Sequence, residues 1–99
     1  MNEYGSIDPI LSQWAVANSV TWLTDYQGTE VRTFFFNPES RERIQISVDP
    51  PRGSRTTVRV AQNRRRLSRL NRVEKFPCSE TDLPDALNRA LEVAKDWAG

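Results

Sequence analysis

The sequence predicts an α+β fold in which an antiparallel β-sheet of four or five strands carries an N-terminal and a C-terminal helix on one face. Three observations support this prediction. Apolar residues recur at helical spacing near both ends of the 99-residue chain, alternate with polar residues in between, and are separated there by Gly, Pro and Asn. We therefore expect one domain over residues 1–99 with the order α-β-β-β-β-(β)-α.

The strongest helical pattern lies in residues 80–99. Its apolar positions share one helix face, because they are spaced by three and four: Leu83, Ala86, Leu87, Ala90, Leu91, Ala94 and Trp97. Thr81 or Asp82 can cap this helix, and Pro84 suits its first turn. Near the other end, Asp8 and Pro9 predict the start of a shorter helix that ends near Ala17.

Between the helices the pattern changes to strand alternation. It runs over residues 20–26 and 31–35, which are separated by the two-residue turn Gln27–Gly28, then over 44–48 and around Val58 and Val60. Residues 37–40 and 49–54 have the composition of turns. The secondary structure of residues 62–77 is not decided by the pattern. The spacing of Leu67, Leu70, Val73 and Phe76 suits a short helix or 3₁₀ turns, whereas residues 72–76 equally suit a fifth strand.

These turn lengths predict a register that places both Trp22 and Ile44 opposite Thr33. One sheet face then forms the core and contains only Phe35 of the three consecutive phenylalanines; its other members are Val20, Trp22, Tyr26, Val31, Ile44, Ile46, Val48, Val58 and Val60. The opposite face would contain Leu23, Arg32, Phe34, Phe36, Arg41, Arg43, Gln45, Arg55 and Arg59. Glu42 fits poorly, because the same register puts it on the core side.

Three interpretations of that second face remain open. It can be a solvated surface on which arginine stems cover the phenylalanine rings. Residues 62–77, or a second copy of the chain, can pack over it. It can also bind an external partner, because guanidinium groups beside exposed aromatic rings suit such a surface.

Charge is distributed unevenly along the chain, although the formal net charge is only +1. Residues 52–75 hold nine basic residues and one acid, whereas the segments on either side are acidic. The density is highest in residues 63–72, NRRRLSRLNR, which we call the basic run. It can be a solvated loop that pairs with Asp85, Glu92 and Asp96 of the last helix, or a binding surface.

The residue types argue against several classes of enzyme. The chain has no histidine, which excludes Ser-His-Asp and Cys-His catalysis and ordinary zinc sites within it. It has no glycine-rich phosphate loop, and no carboxylate pair stands out by spacing. The one cysteine, Cys78, suits a packed position better than a reactive one. We expect no enzymatic activity, no cofactor and no metal.

Three features indicate a cytoplasmic protein. No apolar run approaches the roughly 20 residues of a membrane span, and the first residues do not have the pattern of a signal peptide. A single cysteine cannot form an internal disulfide, which fits a reducing compartment.

The order of elements is similar to that of double-stranded RNA-binding domains. In that family the start of the last helix is rich in lysine and binds phosphate. The matching residues 79–85 here contain three acids and no base, and the extra strand is a further difference. The resemblance is therefore one of topology and implies no function.

The chemistry of arginine favours a binding protein. Twelve of the 14 basic residues are arginine, whose planar fork binds carboxylate or phosphate through two hydrogen bonds. We predict a small interaction protein, of the adaptor, inhibitor or immunity type, that binds an acidic protein. The alternative is nucleic-acid binding, with stacking on the aromatic rings. A homodimer through the second face is also possible. The predicted binding residues are Arg32, Phe34, Phe36, Arg43, Arg59, Arg64, Arg65, Arg66, Arg69 and Arg72.

Overall fold

The computed structural model describes residues 4–26, 29–36, 42–64 and 72–98. Its elements follow the predicted order, and residues 72–79 form the fifth strand that the sequence left open. They are α1 (Asp8–Asn18), β1 (Leu23–Tyr26), β2 (Thr29–Phe36), β3 (Glu42–Val48), β4 (Arg55–Arg64), β5 (Arg72–Ser79) and α2 (Leu83–Ala98). The predicted α+β fold is confirmed.

The five strands form one sheet in the order β1-β2-β3-β4-β5, and every neighbouring pair is antiparallel. Both helices pack on the same face of this sheet. α2 contacts β3, β4 and β5, and α1 contacts α2 and the strands through the buried side chains of Leu11 and Trp14. No helix in the described ranges is both long and apolar enough to cross a membrane.

The helix ends agree only in part with the sequence: Asp8, predicted as the N-cap of α1, lies inside the helix, and the N-cap is Ile7 without a side-chain hydrogen bond. α1 starts at Asp8 with Pro9 in its first turn and stops at Ser19, where a left-handed φ of 57° turns the backbone N–H onto the carbonyls of Ala15 and Val16. α2 carries Asp85 in its first turn and Lys95 in its last, which matches the polarity of the helix dipole.

In the first hairpin, Gln27 and Gly28 lie outside the described residues; the pairs next to them follow the predicted register, but the pair beyond does not. Tyr26 pairs with Thr29 across the turn, and Asp25 pairs with Glu30. An irregularity then puts one extra residue into β2, so that Leu23 lies opposite Thr33, where the sequence placed Trp22.

The second hairpin departs further from the prediction. Phe34 pairs with Ile46 and Phe36 with Ile44, so residues 37–43 separate the last pair, instead of the turn of residues 37–40 that the composition suggested. The ladder is displaced by an odd number of residues, which exchanges the two faces of β2 relative to β3. Within this hairpin the predicted register was wrong.

The buried face of the sheet therefore contains Phe34 rather than Phe35. Phe34 is 3% exposed, and its ring lies 5.8 Å from that of Trp14 and 4.9 Å from that of Trp22. Phe36 is half-buried against the same cluster, whereas Phe35 is half-buried on the other face. The buried members of the core are otherwise Tyr4, Ile7, Leu11, Ile44, Ile46, Val48, Val58, Val60, Cys78, Leu83, Ala86, Leu87, Ala90 and Ala94. The positions expected for Ile44, Ile46, Val48, Val58 and Val60 are confirmed.

Some predictions lie outside what the structure describes. They concern the placement of Arg41, Leu67 and Leu70, and of the side chains of Tyr26, Val31 and Glu42.

Candidate functional site

Arg32 is buried on the helix-covered face, which corrects its predicted position on an exposed one. Its Nε donates to Oδ1 of Asp8 at 2.8 Å and its Nη2 donates to Oδ2 at 2.9 Å. The guanidinium carbon also lies 4.3 Å from the centre of the Tyr4 ring. Since the Arg32 side chain is only 7% exposed, it links β2 to α1 and is out of reach of a partner.

The predicted aromatic surface is corrected in the same way. Phe34 lies in the core, and Phe36 packs against it from the side. The described residues therefore offer no Phe34–Phe36 pair for stacking with a partner on the face away from the helices.

The basic run connects β4 to β5. Arg65, Arg66 and Arg69 lie outside the described residues, and the side chains of Arg43 and Arg64 do as well, although their backbones are in the β3–β4 ladder. Arg72 is described and exposed, with its guanidinium carbon 5.5 Å from the centre of the Trp97 ring. Among the described residues, Asp85, Glu92 and Asp96 form no ion pair with an arginine.

The face of the sheet turned away from the helices is what we call the open face. Its described side chains are Leu23, Thr33, Phe35, Gln45, Ser47, Arg55, Thr57, Arg59, Ala61, Val73, Lys75, Pro77 and Ser79. Val73 is 59% exposed, and Arg55, Lys75 and Pro77 are exposed as well. Residues 72–77 belong to the sheet and do not fold over this face, so none of the described elements covers it.

The open face is positively charged. Arg59 and Lys75 are directly opposite each other in the β4–β5 ladder, and Arg55 lies four residues before Arg59 on the same face of β4. Like charges placed across a ladder repel, and an anion that binds between them removes this repulsion. Glu74, next to Lys75, lies on the opposite face, and the acid that forms an ion pair with Arg59 is Asp49, which follows β3.

Asp49 is already engaged with Arg59. Both Nε and Nη2 of Arg59 donate to Oδ2 of Asp49, at 3.1 and 2.8 Å. About two fifths of the Arg59 side chain remains exposed, so one edge of the guanidinium is still available. Arg59 is the predicted binding residue that the structure places on the open face with a described side chain.

Beside this pair lies a groove of about 670 Å³, which we call the turn groove. It is lined by Asp49, Pro50, Pro51, Arg52, Arg55, Thr56, Thr57, Arg59 and Pro77. Its lining thus has three arginines and one aspartate, and prolines supply much of its apolar surface. A groove of this size can hold a small ligand or part of a peptide.

The backbone of the turn groove is held by several hydrogen bonds. Arg52 and Arg55 exchange hydrogen bonds between their N–H and carbonyl groups, at 2.8 and 3.2 Å, around a turn in which Gly53 has a φ of +63°. The Thr56 hydroxyl donates to the Asp49 carbonyl at 2.6 Å, and the Asp49 N–H donates to the Thr57 carbonyl at 3.0 Å. The arginine stems therefore start from a defined backbone.

The sequence predictions missed Arg52 and Arg55 as binding residues. The available signal was Arg52-Gly53-Ser54-Arg55, in which a glycine-containing pair flanked by two arginines predicts a tight turn with both cations side by side. It was outweighed by the larger number of arginines in the basic run.

A second pocket, of about 430 Å³, lies where β5 meets α2. Its lining includes three cations and two carboxylates, so its charges largely compensate each other: Arg55, Lys75, Arg89, Asp82 and Asp85. Buried Cys78 also lines it. Burial raises the pKa of the Cys78 thiol, the nearby Asp82 raises it further, and Arg55 opposes the rise. The described residues include no group of three or more Cys, Asp or Glu that could hold a metal ion.

The chain matches no protein-family model, no curated protein and no solved structure.

Proposed function

We propose that this chain is a small, non-enzymatic interaction protein that acts in the cytoplasm, as an adaptor, inhibitor or immunity protein, by binding an acidic protein through the open face. The observation that carries this proposal is the charge of that face. Arg55, Arg59 and Lys75 lie on a sheet surface that neither helix covers. The carboxylate of Asp49 satisfies only part of this charge.

Arginine suits such a partner, because its planar fork can bind a carboxylate through two charge-assisted hydrogen bonds. The partner is expected to dock on the face of the sheet and not to extend it at β5. The edge strand β5 contains Lys75 and Pro77, and lysine and proline are residues that discourage the addition of another strand.

The basic run can extend this contact at the other end of β4. Arg55, which lines the turn groove, and Arg64, which belongs to the basic run, are the first and last residues of β4, about 30 Å apart along the strand. A protein surface that contacts both regions would be as wide as an interface of standard size. The run is therefore proposed as the second end of one interface and not as its centre.

Nucleic-acid binding is the second candidate, favoured by the nine basic residues of residues 52–75. Stacking of bases on Phe34 and Phe36 no longer supports it, because both rings face the core. Contacts to phosphates alone would give binding that is insensitive to base sequence and falls steeply with salt.

The test compares two lysines that differ in position but not in charge. Lys75 is exposed on the open face, and Lys95 is exposed on α2. Partners are captured from a nuclease-treated lysate with the unmodified chain and with the variants Lys75→Glu and Lys95→Glu. A captured acidic protein is then purified, and its affinity for each of the three chains is measured by titration. We expect Lys75→Glu to weaken binding by about tenfold or more and Lys95→Glu to leave it nearly unchanged.

Two outcomes would contradict this proposal. Equal affinity of both lysine variants for the purified partner would mean that the open face is not the interface. Capture that depends on intact nucleic acid, with binding of random oligonucleotides at low salt, would favour the second candidate. Reversal of the charge at both Arg65 and Arg66 tests the basic run separately, and it should weaken partner binding if the run belongs to the interface.

A further inference from the structure

Arg52 and Arg55 face each other across the tight turn at the mouth of the turn groove. They form an antiparallel bridge with hydrogen bonds in both directions, a geometry that sets their Cα atoms about 5.5 Å apart. Their exposed side chains form no ion pair or hydrogen bond with any described residue. Two positive charges opposed across a turn repel each other, and an anion bound between them would remove this repulsion.

The rest of the turn groove offers the other contacts that an anion needs. The Thr57 hydroxyl forms no hydrogen bond with the described residues and can donate to a ligand. Arg59 supplies a third guanidinium, fixed in position by Asp49. Pro50, Pro51 and Pro77 restrict the surrounding backbone, so that little conformational entropy is lost when a ligand binds.

We propose that the turn groove is a binding site for a phosphate group, held between the guanidinium groups of Arg52 and Arg55. A phosphate monoester or diphosphate carries close to two negative charges or more, and it presents oxygens in several directions. It can therefore neutralise both arginines at once, with two hydrogen bonds to each fork. A single carboxylate has one charge and two oxygens in one plane, and would leave one arginine uncompensated.

This site does not depend on the proposed function. Arg55 and Arg59 belong to both the turn groove and the open face, so a protein docked there would compete with phosphate. Lys75 does not line the groove, so its substitution tests the acidic-protein interface separately. The phosphate can belong to a small molecule or to a phosphorylated side chain of a partner, and the chemistry recognised is the same.

The test uses the full chain with inorganic phosphate and diphosphate as probes at constant ionic strength. Backbone amide shifts are followed by NMR for the unmodified chain, Arg52→Gln, Arg55→Gln and the control Arg89→Gln, an exposed arginine on α2. We expect saturable shifts in residues 49–59 and near Pro77. We also expect Arg52→Gln and Arg55→Gln each to lower the affinity for phosphate by about tenfold or more relative to the unmodified chain. Arg89→Gln should leave that affinity unchanged. Both groove variants should remain folded, because each removes one of two repelling charges.

A comparison of ligands identifies the source. Tighter binding of a phosphoserine peptide than of free diphosphate assigns the site to a modified partner, and the reverse order assigns it to a small molecule; both support the site. The proposal would be overturned if a peptide with glutamate in place of phosphoserine bound as tightly as the phosphoserine peptide. It would also be overturned if the amide shifts were spread over all basic residues and did not change in Arg52→Gln and Arg55→Gln. Loss of acidic-protein binding in Lys75→Glu with phosphate binding intact would separate the two proposals.

Discussion

Arg32 has the kind of environment that a single sequence rarely reveals. It lies between Val31 and Thr33 in an alternating segment, where a charged residue normally indicates an exposed position. Its partner Asp8 is far away along the chain, and only the packing of α1 on the sheet brings the two together. A buried charge of this kind needs its partner, because removal of the carboxylate would leave the guanidinium uncompensated in the core. Arg32 therefore contributes to the specificity of helix packing.

Cys78 gives a prediction about pH at the scale of a single residue. Because burial and Asp82 raise its pKa in the folded chain, the thiol stays protonated more readily there than in the unfolded chain. At mildly alkaline pH the native protein should react with a thiol reagent at least about tenfold more slowly than the protein in urea. Asp82→Asn should speed the native reaction, whereas Asp85→Asn, in the same pocket, should change it little.

The same raised pKa of Cys78 sets the sign of a stability change. The stabilisation is complete below the ordinary thiol pKa and is lost as the pH rises through the higher pKa of the folded state. Urea unfolding should therefore show that the unmodified chain loses stability relative to Cys78→Ser as the pH rises above about 8.5. A gain in relative stability over this range would contradict the assigned cause.

At the scale of elements, the helices and strands could be predicted because their signals are local. The spacing of Leu83, Leu87 and Leu91 and the Asp8–Pro9 pair each depend on a few neighbouring residues. The strand β5 could not be assigned, since Val73 and Phe76 are spaced as in a helical turn while the segment is also short enough for a strand. The pairing with β4 resolves this ambiguity.

Register is where the local signals failed. The extra residue in β2 and the pairing of Phe36 with Ile44 leave no mark on the alternation itself. Either one shifts a ladder by an odd number of residues and exchanges its faces. This one error misplaced Phe34, Phe36 and Arg32 together and produced a surface of arginine and phenylalanine that the structure does not have.

Adjacent phenylalanines test the corrected register. Phe34→Ala removes a ring that is 3% exposed and packed against Trp14 and Trp22. The free energy of unfolding should therefore fall by about 3–5 kcal/mol. Phe35→Ala removes a half-buried ring on the open face and should cost about 1–2 kcal/mol. Urea denaturation of both variants measures the difference. A larger loss for Phe35→Ala would favour the register that the sequence predicted.

For the molecule as a whole, the sequence shows the amount of positive charge but does not show on which face of the sheet the charged side chains lie. β4 has Arg55 and Arg59 on the open face in its first half, and it ends at Arg64, which belongs to the basic run. Arg72, at the start of β5, lies on the helix side against Trp97. The described arginines therefore form at least two groups. Their direction depends on the register, and so it could not be read from composition.

The charge of the open face also leads to a prediction about self-association. A two-fold symmetric dimer through this face would place Arg55, Arg59 and Lys75 of one copy against the same residues of the other. Because like charges brought together at an interface oppose association, we expect a monomer of 11.4 kDa in sedimentation experiments at low salt. Lys75→Glu would replace one of these cations by a carboxylate and reduce the repulsion between copies, so it should increase association, whereas Lys95→Glu should not. A stable dimer of the unmodified chain that Lys75→Glu disrupts would mean that the second copy, and not an acidic protein, covers this face.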